Sequence, residues 1–383
     1  MTEAAADTPP EQRVTALELF FDLVFVFAIS QVTGYLSADP TWTRLLEGLA
    51  IFTVLWWAWG CYAWLGNTAG SDEGLVRVVM LAAMAAMLIA AIAVPHAFGE
   101  TALTFGIAYG VVRVLHIVAY ALMARGNPTL RLAVSGLARS MVPVGLLLVV
   151  AGIVDGDVRT ACWIVALVID VVGLWLFSVD GWRVEPAHLT ERYGLIIIIA
   201  LGESIVALGV GAEDHDLDAG LIAGVLLGVA TAAALWWAYF DVVAVVAARR
   251  FRQMTGRAQI LVARDSYTYL HMPMVAGIVL FAFGAKTVLA HEGDDLAAVP
   301  AVGLCGGLAL YFLGHVAFRL RNVHTLNRAR LGAAIVFVVL IPIATTIPAL
   351  ASLAVVTAIC TAVIAYEFVH FHAARERLRH ALT

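Results

Sequence analysis

Leu17-Glu18-Leu19-Phe20-Phe21-Asp22-Leu23-Val24-Phe25-Val26-Phe27-Ala28 is apolar enough to cross a membrane, yet it carries two acids one helical turn apart. A carboxylate in the hydrocarbon layer costs roughly 2.5 to 3.5 kcal/mol even on the lenient insertion scale, so it faces the protein interior with a partner or a proton. Working outward, the whole chain has the same character. Hydrophobic residues make up 62% of it, charged residues 13%, and the mean hydropathy is +0.92. A soluble domain carries about a quarter charged residues. Apolar runs of roughly 20 residues, each long enough to span ~30 Å, recur from Val14 onward with short polar connections.

The pattern predicts an all-α polytopic membrane protein of about twelve transmembrane helices. The expected spans are 14 to 37, 43 to 65, 75 to 97, 101 to 124, 132 to 152, 160 to 180, 190 to 211, 219 to 246, 266 to 290, 299 to 319, 329 to 348 and 350 to 371. Residues 1–13, acidic and proline-containing, read as an N-terminal tail and not as a cleaved signal, and 373–383 read as a C-terminal tail. Basic residues set the orientation. An N-terminus in the cytoplasm puts Arg13, Arg77, Arg125, Arg131, Arg183, the run Arg249, Arg250 and Arg252, and Arg319, Arg321, Arg375, Arg377 and Arg379 inside. It leaves Arg44, Arg159 and Lys286 outside. Both termini are therefore expected in the cytoplasm. Cys61, Cys162, Cys305 and Cys360 all fall in spans without paired spacing and read as packing residues.

Two strings suggest a duplication: Leu55-Trp56-Trp57-Ala58-Trp59 and Leu235-Trp236-Trp237-Ala238-Tyr239. Glu18 and Glu191 precede them, and His116 with Arg131 and Pro143 is echoed by His315 with Arg328 and Pro342. The expectation is two parallel six-helix repeats, 14–183 and 184–372, with a site at their interface.

Several polar residues need reasons to be in a membrane. Glu18 and Asp22 would repel if both were ionised, so one should be protonated or paired with an arginine. Arg113 and His116 share a face of the fourth span, and Arg113 needs a buried carboxylate, for which Asp170 and Glu203 lie at suitable depths. Gly202 would let a backbone or ligand approach Glu203. Glu191 and Arg192 fit either interfacial anchoring or a site. Pro273 should kink or break the ninth span and free carbonyls near Tyr267 and His271. His315, Asp241 and Glu367 fall at related depths. Lys286 reads as snorkelling to the outer surface or as an anion contact. Trp56, Trp57, Trp59, Trp236 and Trp237 read as packing or as a substrate cage.

No phosphate-binding glycine loop, zinc-protease motif or nucleophile elbow is present, which argues against an ATP-driven pump or a conventional hydrolase. No cofactor, metal or nucleic acid is expected. The expected partners are the lipid bilayer and a small-molecule or ion substrate, with self-association left open. The residues favour a proton- or ion-coupled secondary transporter in which acids of both halves converge on one cavity. The rivals are an intramembrane enzyme acting on lipid or an isoprenoid carrier, and a non-catalytic scaffold or stress sensor.

Glu18 to Val26, Glu191-Arg192-Tyr193-Gly194, Leu201-Gly202-Glu203-Ser204 and His271 to Val279 resemble the bacterial low temperature requirement A protein family over about residues 13 to 372. The resemblance implies a multi-pass bacterial inner-membrane protein, associated by name with growth in the cold. It implies no substrate, reaction or catalytic residue.

Overall fold

The computed structural model describes residues 13–68, 74–176, 182–213, 215–241 and 243–370. The two expected tails lie outside these, apart from Arg13, as does the end of the sixth expected span. Eleven helices among the described residues are long and apolar enough to cross a membrane. They are α1 (Ala16–Ala38), α2 (Trp42–Gly66), α3 (Gly74–Ala93, extended by a 3₁₀ turn to His96), α4 (Ala102–Met123), α5 (Pro128–Ala151), α6 (Gly156–Leu176), α7 (Pro186–Ala212), α8 (Ala219–Phe240), α10 (Gly256–Ala290), α11 (Ala298–Val323) and α13 (Ala349–His370). A short helix, α9 (Val243–Arg252), lies between α8 and α10.

The expected span 329–348 is shorter than its sequence pattern suggests. It forms α12 (Arg328–Ala344), whose 17 residues reach only ~25 Å. Pro348 and the preceding Thr345-Thr346-Ile347 end it early, and the buried Arg330 occupies its first turn.

Local chemistry sets the helix starts. Thr15, Thr41, Asn127, Asp218 and Asn327 each cap a helix by accepting an N–H three residues on. Pro128 and Pro186 occupy first-turn positions, where no N–H is needed. Packing then sorts the helices by depth. Between 72% and 78% of the most apolar stretch is buried in α2, α10 and α11, against 28% in α6 and 33% in α5, α8 and α13. The first three are therefore central, and the others form the lipid-facing rim.

Among α1–α6, α1 packs on α2 and α3, α3 on α4, α4 on α5, α5 on α6, and α2 on α6. Among α7–α13, α7 packs on α8 and α10, α10 on α11, α11 on α12, α12 on α13, and α8 on α13. The two groups meet where α1 and α2 touch α7 and α10. Glycine permits a close crossing: a Cβ on Gly277 would sit 2.5 Å from the Gly307 carbonyl oxygen, so α10 and α11 touch backbone to backbone.

Pro273 does not break its helix. A wide π turn, Ala263–Tyr269, immediately precedes the α-helical segment Leu270–Ala290, and the helix runs through the proline. Widening the ladder where Pro273 lacks a donor relieves the clash that would otherwise fall on Tyr269. Two backbone carbonyls of the turn take side-chain donors instead: Trp56 Nε1 donates to Thr268 (3.0 Å) and His271 Nδ1 to Ser266 (2.9 Å).

Candidate functional site

Where α1 meets α7, two consecutive turns of α1 face two consecutive turns of α7. Glu18 and Asp22 are four residues apart, and so are His188 and Arg192. Each acid therefore meets one base. His188 Nε2 lies 3.0 Å from Glu18 Oε2, and Arg192 Nη2 donates to Asp22 Oδ1 at 2.8 Å. None of the four residues is more than 1% exposed. Glu18 also closes the capping box of α1, where its Oε2 accepts the Thr15 N–H at 2.9 Å. Trp59 Nε1 donates to Asp22 Oδ1 at 2.9 Å.

Asn67, just after α2, settles the proton on His188. Its Oδ1 accepts the Glu185 N–H (2.7 Å) and its Nδ2 donates to the Glu185 carbonyl (2.8 Å), which fixes the amide orientation. Nδ2 also sits 3.2 Å from His188 Nδ1. An amide nitrogen is only a donor, so Nδ1 accepts, the imidazole is neutral, and its proton lies on Nε2 toward Glu18. The cluster then holds two carboxylates against one guanidinium, a surplus of one negative charge. Its polar capacity is also incomplete, because Glu18 Oε1, Asp22 Oδ2, Arg192 Nε and Arg192 Nη1 have no hydrogen-bond partner. Arg192 Nη1 and Glu18 Oε1 are 3.9 Å apart, an ion-pair contact too long for a hydrogen bond.

Two other buried charge pairs balance. Arg113 on α4 donates through Nη2 to Asp170 on α6, with Tyr109 Oη also donating to Asp170 (3.2 Å). His116 Nε2 donates to the Cys61 carbonyl at 2.9 Å. In the second half Arg330 on α12 binds Glu367 on α13 through Nε (2.9 Å) and Nη2 (2.8 Å), and its Nη1 donates to His315 Nδ1 (2.9 Å). That histidine is therefore neutral too. Tyr239 Oη sits 2.8 Å from His271 Nε2, which accepts its proton because Nδ1 already donates, and Tyr267 stacks on the same imidazole.

Glu203 is the second exception. It is buried on α7, takes the Ser30 hydroxyl of α1, and forms no ion pair among the described residues. Lys286 acts on it only at longer range. Gly202 has open space at its Cβ position, so no backbone among the described residues packs against it.

The expected convergence of acids from both halves on one cavity does not occur. The acids of α1 meet bases of α7, and Glu203 sits about 12 Å farther along α1, eight residues from Asp22 to Ser30. Glu191 is at the surface, accepting the Val14 N–H at 3.2 Å, and Asp241 is at the end of α8, so neither joins the cluster. The tryptophans form no cage. Trp56, Trp57 and Trp59 are buried, whereas Trp236 and Trp237 are 45% and 38% exposed on a rim helix. The sequence alone did not single out His188, and it left Arg192 between an interfacial anchor and a site residue. Their i, i+4 spacing, the same as Glu18 and Asp22, is the signal that could have found them.

This architecture defines a multi-pass helical membrane protein with a buried ionic cluster between two helix groups. The chain belongs to the bacterial low temperature requirement A protein (LtrA) family, whose model matches residues 13–365. Over 308 residues it is 30% identical to uncharacterized protein RA0937 of Rhizobium meliloti (strain 1021), an alignment covering 78% of this chain and 75% of that relative.

Proposed function

We propose that the protein is a proton-coupled secondary transporter of the inner membrane, built of two parallel six-helix halves with both termini cytoplasmic. Its proton site would be the cluster of Glu18, Asp22, His188 and Arg192. The observation that carries this reading is the charge count: Arg113 with Asp170 and Arg330 with Glu367 are neutral pairs, whereas this cluster has one carboxylate too many. A purely structural ion pair does not need the surplus, which raises its desolvation cost without adding a bond. One proton on Glu18 or Asp22 would cancel it.

The room available favours a proton over a larger cation. Glu18 Oε1 is packed so closely on Gly66 that a Cβ there would lie 1.8 Å away. Among the described residues no group of three or more His, Cys, Asp or Glu side chains could hold a metal ion. Glu203 would be the second proton station on the same seam. Between them α1 and α7 present Phe25, Ile29, Ile196 and Ala200, all fully buried, an apolar stretch that a proton crosses only if the helices part or water enters. A dry segment between the two acids would keep a proton from leaking along the seam while the helices stay packed.

Infrared titration of the reconstituted protein tests the site without knowing the substrate. The expected result is a carboxylic-acid carbonyl band that changes with pH and is missing in Asp22→Asn or Glu18→Gln. Proton flux driven by candidate solutes in dye-loaded proteoliposomes should likewise vanish in Asp22→Asn and Glu203→Gln. Wild-type band and flux in correctly folded variants would sink the assignment.

A further inference from the structure

A second feature, which does not rest on the transport reading, is a cavity of about 90 Å³ among α2, α4, α5, α6 and α10. Its wall is almost wholly apolar, built largely of Trp57, Trp64, Trp182, Leu137 and Met141. Two observations make it more than a packing fault. Trp57, which lines the cavity, is 3% exposed, and its indole Nε1 is buried with no hydrogen-bond partner. A buried donor left unpaired costs about 1 to 3 kcal/mol, so an acceptor brought within its reach would stabilise the wall.

The second observation is charge. Arg264 also lines the cavity, its guanidinium 3.9 Å from the centre of the Trp175 ring. Its Nε holds Asp265 at 2.8 Å, but Asp265 is shared with Arg321, whose Nη2 donates at 3.0 Å. Two guanidinium groups over one carboxylate leave a net positive charge beside the aromatic chamber. The residues nearest the helix ends, Trp182 and Ile260, put its mouth on the face that carries Arg249, Arg250 and Arg252, where anionic headgroups gather.

We propose that this cavity binds an anionic amphiphile, with its acidic head against Arg264 and one hydrocarbon chain among the tryptophans, Leu137 and Met141. The volume suits part of a single hydrocarbon chain. Gly60 keeps the chamber open: a Cβ there would meet nothing nearer than Thr268 Cγ2 at 3.8 Å, so larger side chains at this position fill the cavity without striking backbone.

The test uses the full chain in phosphatidylcholine nanodiscs with a chain-labelled diazirine fatty acid as photoprobe, and laurate, dodecyl phosphate and dodecanol as competitors. Labelling should concentrate on peptides of α2, α5 and α10. Laurate or dodecyl phosphate should compete at least about tenfold better than the neutral alcohol, a gap of about 1.4 kcal/mol or more. Competition by only one of the two would separate a carboxylate from a phosphate head. Gly60→Leu and Arg264→Gln should each cut labelling at least about tenfold. Trp57→Phe, which keeps the ring and removes the N–H, should weaken it less and serves as the check if Gly60→Leu does not fold. Labelling spread over the lipid-facing α8 and α13, undiminished labelling in the variants, or equal competition by dodecanol would each overturn the proposal.

Discussion

Counting charges in the cluster predicts an unequal response to removing its members. Asp22→Asn keeps the shape and the Trp59 contact but leaves Glu18 against Arg192, a balanced pair. Its cost should be about 1 to 3 kcal/mol, the value of one charge-assisted hydrogen bond. Arg192→Gln strands two buried carboxylates 0–1% exposed, and the loss should be at the upper end of the about 3 to 5 kcal/mol typical of broken buried pairs. The double variant returns the cluster to one surplus negative charge. It should therefore be more stable than the sum of the single losses implies, by about 1 to 3 kcal/mol. Reversible unfolding in mixed micelles, followed by tryptophan fluorescence, gives all three values as a cycle. Equal single losses, or losses that simply add, would refute the charge count and with it the neutral His188.

Other outcomes follow from the same geometry. Gly66→Ala should displace Glu18 and destabilise the protein by about 1 to 3 kcal/mol, measured in the same unfolding assay. Trp59→Phe should cost about 1 to 3 kcal/mol through the lost indole bond to Asp22, with an unchanged helical circular-dichroism spectrum. Glu367→Gln, which leaves Arg330 short of its counter-charge, should cost about 3 kcal/mol, read as a lower melting midpoint. Gly277→Val, which strikes the Gly307 carbonyl and the Tyr311 backbone, should lower the melting midpoint sharply, whereas Gly202→Ala should stay within about 0.5 kcal/mol of wild type.

The membrane class and most spans were legible because a ~30 Å apolar slab demands about 20 apolar residues in a row whatever their tertiary context. Arg113 was legible for a similar reason: a permanent charge at mid-membrane requires an acid, and Asp170 provides it. Other features depend on neighbours that local pattern does not encode. The π turn before Pro273 exists because Trp56 and His271 receive the carbonyls it releases, and Trp56 is far away in sequence. The strings around Trp57 and Trp237 are nearly identical, yet one lies in a central helix and the other on the rim. Arg192 looked like an anchor because it follows Glu191 near the start of a span, and only the placement of α1 turns it inward. Among the site candidates, Asp22 and Glu203 came through a buried-cost argument. His188 required knowing which face of α7 meets α1.

The pairing of α1 with α7 also has a consequence in time. As the chain is made, Asp22 enters the membrane with its helix while Arg192, 170 residues later, does not yet exist. Glu18 is covered from the outset by its own capping box, but Asp22 has no local donor and must stay protonated or shielded until α7 arrives. The helices α1–α6 are then unfinished when they leave the insertion machinery, and the arrival of one arginine marks the step at which they and α7 become a single molecule.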